Sequence, residues 1–191
     1  FTNTRDAIEK IYQLPKMSDI GKMLFNKATL KIMDPATLKV VMMIIEQMTS
    51  DLLSESDVKG DSYEYLLKLL SQSGNNGQFR TPRHIIDLIV KLVNPKSEET
   101  ICDPACGTAG FLISAYDHIV STNTSKEDIG KGFKSGDKLT SKQWKFLEEQ
   151  AIWGFDNDIN MVKIAILNLY LHKQEKANLN YKNTLTSIIS G

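Results

Sequence analysis

The 191-residue sequence contains no long hydrophobic run, few cysteines and no excess of charge of either sign. Its longest uninterrupted apolar run, Val40 to Ile45, is far shorter than the roughly 18 residues that a membrane-spanning helix needs, so no membrane association is expected. The two cysteines, Cys102 and Cys106, are too few for a disulfide framework. A reducing compartment is therefore expected, which indicates the cytoplasm.

The balance of charge argues against a domain that holds nucleic acid by its own electric field. The sequence has 23 Lys and Arg against 23 Asp and Glu, for a formal net charge of zero, whereas such domains are usually basic. A DNA partner is therefore expected to find most of its phosphate contacts elsewhere in an assembly.

Histidine and cysteine are too sparse to predict a metal site or a catalytic thiol. The histidines, His84, His118 and His172, are scattered without ligand spacing, and no second pair of cysteines exists to complete a zinc site. Cys106 has no His or Asp visibly arranged to activate it, so a small loop residue is expected there and not a nucleophile. No metal is predicted.

Residues 1–73 show only helical periodicity, including amphipathic segments over 5–14 and 61–70. Asp34-Pro35 predicts the start of a longer helix, with Asp as N-cap and Pro in the first turn. Its apolar residues recur every three or four positions and form a stripe, which further apolar residues widen to nearly the whole circumference of the helix. This pattern indicates the centre of a helical bundle or a face for another protein. The bundle is the preferred interpretation. The apolar positions are Leu38, Val40, Val41, Met42, Met43, Ile44, Ile45, Met48 and Leu52.

The stretch from Ile101 to Phe111 predicts the end of a buried strand, a tight loop and the start of a helix. Asp103 supplies a carboxylate where the strand ends, and Gly107 and Gly110 allow a sharp turn and the close approach of a ligand. A carboxylate beside the amides of a helix N-terminus is typical of a nucleotide site. The glycines alone also fit an ordinary strand-to-helix turn, and the pattern is neither Gly-x-Gly-x-x-Gly nor a P-loop.

Elements on both sides of this loop extend the α/β pattern. Thr81-Pro82 precedes a predicted helix over 83–93, for which Ile85, Ile86, Ile89, Leu92 and Val93 are expected to face inward. A second strand over 151–155 ends on Asp156, an acid placed to accept hydrogen bonds from ribose hydroxyls. The polar segment 121–145, with six lysines, is expected to be a solvated insertion in which a helix restarts near Thr140. A helix over 161–172 and a short strand over 178–183 follow.

Asp-Pro-Ala-Cys-Gly-Thr-Ala-Gly-Phe-Leu, at 103–112, closely resembles the S-adenosylmethionine loop of N6-adenine DNA methyltransferases. The chain is most similar to the modification subunit of type I restriction-modification systems. The resemblance extends to Gly-Gln-Phe-Arg-Thr-Pro-Arg at 77–83 and to Asn-Leu-Tyr-Leu-His at 168–172. It implies S-adenosylmethionine as cofactor and an α/β fold, in which a helical domain over 1–73 precedes the first part of a Rossmann-like methyltransferase domain over 74–191.

The resemblance also implies roles for individual residues. The segment before the first strand is expected to close over the methionine end of the cofactor, the glycine loop to form the floor, and two later polar residues to hold the ribose and face the adenine. The cover consists of Gln78, Phe79, Arg80, Thr81, Pro82 and Arg83. The floor consists of Asp103, Gly107, Thr108, Ala109 and Gly110. Asp156 is expected to hold the ribose, and Asn183 is expected to face the adenine.

Methyl transfer to the exocyclic amine of adenine needs that nitrogen hydrogen-bonded and held in line with the methyl sulfonium. The family does this with Asn-Pro-Pro-Phe or Asp-Pro-Pro-Tyr, which grips a flipped base, and neither occurs in this sequence. The sequence starts Phe-Thr-Asn-Thr without Met and stops at Ser190-Gly191, so we expect a fragment that does not catalyse alone. No catalytic residue is assigned.

The expected parent activity is S-adenosylmethionine-dependent methylation of adenine in DNA. The resemblance implies that DNA is bound through a full complex, with a specificity subunit that reads the target and a restriction subunit in the same system. One alternative is a single-chain restriction–methylation enzyme with its own recognition domain. Another is a non-catalytic helical docking module that has lost its ligand. The presence of Gln78, Thr81-Pro82 and Asp156 argues against such a loss.

Overall fold

A computed structural model describes residues 32–52, 63 and 81–186 of the chain. The chain divides into two compact units, Phe1–Ser62 and Tyr63–Gly191. The helices expected over 5–14 and, apart from Tyr63, over 61–70 lie outside the described residues. The domain boundary expected after residue 73 remains a prediction.

Helix α1, Pro35–Leu52, belongs to the first unit. A carboxylate oxygen of Asp34 accepts a hydrogen bond from the backbone N–H of Thr37 at 2.9 Å, so the predicted N-cap is confirmed. Val40 and Met43 on this helix are exposed. The helical bundle remains a prediction.

The second unit is a mixed α/β structure, as the sequence predicts, with three parallel strands in the order β1-β2-β3. Within the described parts of both units, no helix has the length and apolar character needed to cross a membrane. The elements are α2 (Arg83–Val93), β1 (Ile101–Asp103), α3 (Gly110–Thr122), α4 (Lys126–Gly130), α5 (Ser141–Phe146), a π-helical turn (Leu147–Ala151), β2 (Ile152–Asp156), α6 (Ile159–Leu171) and β3 (Asn178–Tyr181).

The register of the sheet brings the carboxyl ends of the strands to one edge. Asp103 at the end of β1 pairs with Gly154, and Asp156 at the end of β2 pairs with Tyr181. Parallel strands need crossover connections, which α3 to α5 and then α6 supply here. The loop after β1 and the acid at the end of β2 are therefore neighbours.

Helices α3 and α6 carry most of the core of this unit. Their apolar side chains are buried along much of each helix, and each such side chain stabilises the fold by about 1.5–3 kcal/mol relative to exposure. Helix α2 packs on α3 through Ile86 and Val90, which contact Ala115, with Ile101 and Phe111 beside them. The buried residues of the two main helices include Leu112, Ile113, Ile119, Met161, Val162, Ala165, Ile166 and Leu169.

The prediction for α2 is right in its bounds and wrong in its buried face. Ile86 is buried as expected, but Leu92 is 76% exposed and Val93, Ile85 and Ile89 are exposed as well. The contact with α3 covers one narrow stripe, in which Ile86 and Val90 lie one turn apart. Thr81 does not cap the helix, since the cap position is Pro82 and no side chain among the described residues bonds there.

The segment 121–145 contains more structure than the predicted loop. Thr140 does start a helix, α5, and forms a capping box with Gln143. The short helix α4, capped by Ser125, was not predicted, because five residues are too few to show periodicity. All the lysines of the segment are exposed.

Gly154 in β2 is a position where the packing excludes a side chain. A Cβ there would overlap Leu179 Cδ2 and lie 2.9 Å from Leu112 Cδ1. We expect Gly154→Ala to lower the free energy of unfolding by about 1–3 kcal/mol, measured by urea denaturation.

Gly130→Ala is the matched control, because a Cβ at Gly130 meets nothing within 4 Å. We expect its free energy of unfolding to stay within about 0.5 kcal/mol of the parent value. Equal stability of the two variants would contradict the close packing of α3 and β3 on Gly154.

Candidate functional site

The loop from the end of β1 to the start of α3 turns sharply within a few residues. Asp103 Oδ1 accepts a hydrogen bond from the backbone N–H of Ala105 at 3.1 Å, which starts the turn. Gly107 and Ala109 both have left-handed backbone conformations, with φ of 53° and 67°. Glycine adopts this conformation at little cost, whereas Ala109 requires support from its surroundings.

Backbone hydrogen bonds join this loop to β2. The N–H of Cys106 donates to the carbonyl of Phe155 at 2.8 Å. The next amide, of Gly107, donates to Asp156 Oδ2 at 3.0 Å. Asp156 Oδ1 accepts from the backbone N–H of Asp158 at 2.9 Å. Both carboxylate oxygens of Asp156 are therefore oriented by amides, and each keeps a further lone pair for a ligand.

Ala109 is fully buried and is the residue at which the loop becomes helix α3. Its N–H donates to the carbonyl of Cys106 and its carbonyl accepts from Ile113. No side chain in the described part of the chain caps α3. Gly110 begins the helix beneath α2, where an added Cβ would lie 3.1 Å from Ile86 Cδ1.

Asn168 supports the same loop from α6 and was not assigned a role from the sequence. It is 0% exposed, and its side-chain Nδ2 donates to the carbonyl of Thr108 at 2.8 Å. The available signal was a polar residue inside an otherwise apolar helix, which predicts a buried hydrogen bond but not its partner.

The two strand-end acids make the site electronegative. Burial raises the pKa of Asp103, and the nearby charge of Asp156 raises it further. Burial, followed by the charges of Asp103 and Asp156, raises the pKa of the Cys106 thiol to about 12. Cys106 is therefore protonated at neutral pH and unsuited to act as a nucleophile. The two carboxylates make the site suited to a cationic ligand.

The end of β3 reaches the same edge of the sheet. The hydroxyl of Thr184 donates to the carbonyl of Pro104 at 3.0 Å, which places this turn beside the loop after β1. Asn183 Oδ1 accepts hydrogen bonds from the backbone of Leu185 at 3.1 Å and of Thr186 at 3.4 Å. Both lone pairs of Asn183 Oδ1 are therefore used within the turn, and an acceptor role toward a ligand would replace one of these hydrogen bonds.

The residues expected to cover the site are only partly described. Thr81 and Pro82 lead into α2, while Gln78, Phe79 and Arg80 lie outside the described residues. The guanidinium of Arg83 lies 3.7 Å from carboxylate oxygens of Asp87 and of Asp117. These ion pairs join Arg83 to its own helix and to α3.

The family profile described as N-6 DNA Methylase matches residues 54–189. The methylase subunit of the type I restriction enzyme EcoEI from Escherichia coli is 31% identical over 172 residues, which is 90% of this chain and 32% of the relative. The type II restriction enzyme and methyltransferase RM.BcgI from Heyndrickxia coagulans is 28% identical over 134 residues, 70% of this chain and 19% of the relative.

Solved structures show the same similarity. The crystal structure of a modification subunit assigned to a type I restriction enzyme from Vibrio vulnificus YJ016 matches with a TM-score of 0.52 at 25% identity. The match covers 69% of this chain and 25% of that one. The chain thus spans a third or less of the length of each of these relatives.

The raised pKa of Asp103 has a consequence for stability. Between its unfolded value of 3.8 and its higher folded value, the folded protein binds a proton more readily than the unfolded chain. The free energy of unfolding therefore falls as the pH rises through that interval, and the full cost is present at pH 7. Asp103→Asn removes the charge and keeps an oxygen for Ala105. We expect it to raise the free energy of unfolding at pH 7, measured by urea denaturation, with a smaller gain as the pH approaches 3.8.

Asp137→Asn serves as a control of opposite sign. The backbone N–H of Ser125 donates to Asp137 Oδ1 at 2.7 Å, and this hydrogen bond lowers the pKa of Asp137. Its charge stabilises the folded state above pH 3.8, so the amide variant should be less stable at pH 7. An Asp103→Asn variant that lost stability in the same way would contradict the destabilising effect of burial and of Asp156.

Proposed function

Because the chain belongs to the N-6 DNA methylase family, we propose that it forms the donor-binding part of a DNA methyltransferase that transfers a methyl group from S-adenosylmethionine to N6 of adenine. Its parallel sheet would be the first part of a Rossmann-like domain over 74–191, and residues 1–73 would form a helical bundle. The parent protein would be the modification subunit of a type I restriction-modification system, the class to which the EcoEI relative belongs.

The observation that carries this proposal is the pair of acids joined through one loop at the edge of the sheet. Asp103 ends β1, Asp156 ends β2, and the amide of Gly107 donates to Asp156. S-adenosylmethionine offers complementary groups: ribose hydroxyls that donate hydrogen bonds, and an ammonium and a sulfonium that carry positive charge. Carboxylates bind both kinds of group strongly.

Asp156 suits the ribose, because two backbone amides fix its orientation before the ligand arrives. A group that is already ordered loses less entropy when it binds. Asp103 suits the cationic methionine end, because a positive charge beside it would offset the repulsion that Asp156 exerts. The two acids would thus set the direction in which the ligand lies along the sheet edge.

The remaining contacts follow from the loop and its neighbours. Gly107, Thr108, Ala109 and Gly110 have small side chains or none, so they would form a floor that the ligand can approach closely. Asn183 lies in the turn after β3, beside the loop, and would face the adenine ring. The order of segments along the chain supports a cover formed by Gln78, Phe79, Arg80, Thr81, Pro82 and Arg83.

When bound, S-adenosylmethionine supplies an electrophilic methyl group. The residues of this chain would bind and orient the cofactor. Because the pKa of the Cys106 thiol is raised, Cys106 would stay protonated and would not compete as a nucleophile. Gripping the target adenine would require a motif such as Asn-Pro-Pro-Phe, which the sequence does not contain. The chain would therefore bind the donor without completing the transfer.

The proposed partners are those of a type I system in the cytoplasm. DNA would be bound by the complete assembly, a specificity subunit would read the target, and a restriction subunit would complete the system. The similarity to RM.BcgI, a type II restriction enzyme and methyltransferase, supports the alternative of a single-chain restriction–methylation enzyme. The length of the parent protein and the presence of a nuclease region in it would separate the two.

Calorimetric titration of the chain with S-adenosylmethionine tests donor binding, with NAD as the control ligand. We expect selective binding of S-adenosylmethionine. Asp156→Ala should raise the Kd about tenfold to a hundredfold, because hydrogen bonds to charged groups contribute about 1.5–3 kcal/mol.

Asp158→Ala is the matched control for Asp156→Ala. Asp158 caps α6 through a hydrogen bond from Asn160 at 2.8 Å, so its loss should reduce stability while the Kd stays near the parent value. Equal weakening by both variants would assign the effect to the fold and remove Asp156 from the ribose site.

A methylation assay tests the missing step. The chain is incubated with duplex DNA and radiolabelled S-adenosylmethionine, and no label should enter adenine, because the sequence lacks the tetrapeptide that grips the base. Label in adenine above the level of a boiled sample would show that this chain holds the target base by other residues.

A further inference from the structure

We propose that Asn168 is a positioning residue for the donor loop: it holds the peptide between Thr108 and Ala109 in the orientation that the ligand requires. The link to a ligand rests on the proposed function, whereas the effect on the loop does not. Asn168 lies on α6, 60 positions from Thr108 in sequence, and reaches it with a hydrogen bond of 2.8 Å.

The burial of Asn168 indicates that its polar group has a specific task. It is 0% exposed on a helix whose neighbouring positions, Ala165 and Leu169, are buried and apolar. Burying an amide is unfavourable unless it is hydrogen-bonded, and an apolar side chain would fill this position at no such cost. The bond to the Thr108 carbonyl is therefore what an Asn at this position provides and a Leu would not.

The peptide that Asn168 contacts is held from both sides. The carbonyl of Thr108 and the N–H of Ala109 belong to one planar peptide unit and point in opposite directions. The carbonyl accepts from Asn168, and the N–H donates to the carbonyl of Cys106 at 2.8 Å. Rotation of this unit requires both bonds to break.

These two hydrogen bonds keep the Thr108–Ala109 peptide in a strained conformation. Ala109 has φ of 67°, a left-handed conformation that is unfavourable for a residue with a Cβ. Rotating the Thr108–Ala109 peptide would bring φ of Ala109 to a negative value and relieve that strain. Without the bond from Asn168, only the bond from Ala109 to Cys106 still opposes this rotation, so the loop leaves the conformation in which α3 starts at Gly110 more readily.

A change in this peptide would reach the acids of the site. The amide of Gly107, which orients Asp156, lies within the same turn, closed by the bond from Ala109 to Cys106. Loosening the turn would thus disturb the carboxylate proposed to hold the ribose. Asn168 would act on the ligand through the loop, without contacting it.

The backbone at Asn168 is itself anchored at the end of α6. The carbonyl of Asn168 accepts from the backbone N–H of His172 at 3.2 Å and lies 2.8 Å from His172 Nδ1. The His172 ring thus adds a contact to the backbone from which Asn168 reaches the loop.

The test compares Asn168→Leu with Leu169→Ala, a core truncation at the next position of the same helix. Amide hydrogen exchange at Ala109 is followed in the ligand-free protein, and the Kd for S-adenosylmethionine is measured by calorimetry. We expect Asn168→Leu to accelerate exchange at Ala109 and to raise the Kd about tenfold or more. Leu169→Ala should destabilise the whole fold yet leave the Kd within about threefold of the parent value.

Asn168→Asp provides a second variant if Asn168→Leu does not fold. A protonated carboxyl can donate to the Thr108 carbonyl and an ionised one cannot. The ratio of its Kd to that of the parent protein at the same pH should therefore fall as the pH is lowered. Unchanged Ala109 exchange and Kd in Asn168→Leu, or a ratio independent of pH in Asn168→Asp, would overturn the proposal.

Failure of the proposed function gives a different result. If the parent chain does not bind S-adenosylmethionine, donor binding is refuted for this chain, and the exchange rate of the Ala109 amide still decides whether Asn168 holds the loop. Faster exchange at Ala109 in Leu169→Ala, equal to that in Asn168→Leu, would reduce Asn168 to a general packing role and overturn the proposal.

Discussion

The hydrogen bond from the Gly107 amide to the Asp156 carboxylate is the interaction on which the rest of the site depends. At 3.0 Å it joins the loop after the first strand to the end of the second, across 49 positions of sequence. It can form only because β1 and β2 are parallel neighbours in register, which in turn requires the crossover through α3, α4 and α5. The fold thus assembles two acids that are distant in the chain.

This arrangement lowers the stability of the fold and produces an oriented, electronegative site. Asp103 has a raised pKa because it is buried beside Asp156, so its charge opposes folding at neutral pH. Ala109 adds backbone strain in the same loop. An ordinary strand-to-helix turn needs neither two acids that repel each other nor a strained alanine. The proposed binding of a cationic ligand with hydroxyl donors would offset what these groups cost the fold.

The sequence predicts local features well and contacts between distant elements poorly. The bounds of α2, the cap at Asp34 and the acids at the ends of β1 and β2 follow from short-range patterns, and the structure confirms them. The buried face of α2 does not follow from such a pattern, because seven apolar residues on one helix do not show which of them a neighbouring helix covers. Asn168 was missed for the same reason, since the partner of a buried amide is decided by tertiary packing.

The support of the loop by separate elements also bears on the alternative of a docking module that has lost its ligand. The loop is contacted by Asp156 on β2 and by Asn168 on α6, and Gly110 lies beneath Ile86, where an added Cβ would be 3.1 Å from Ile86 Cδ1. A short sequence motif could be retained without any of these contacts from other elements. A chain released from ligand binding would be free to lose the strained Ala109 and the opposed acids, each of which costs stability. Their joint presence supports a loop still shaped for a ligand.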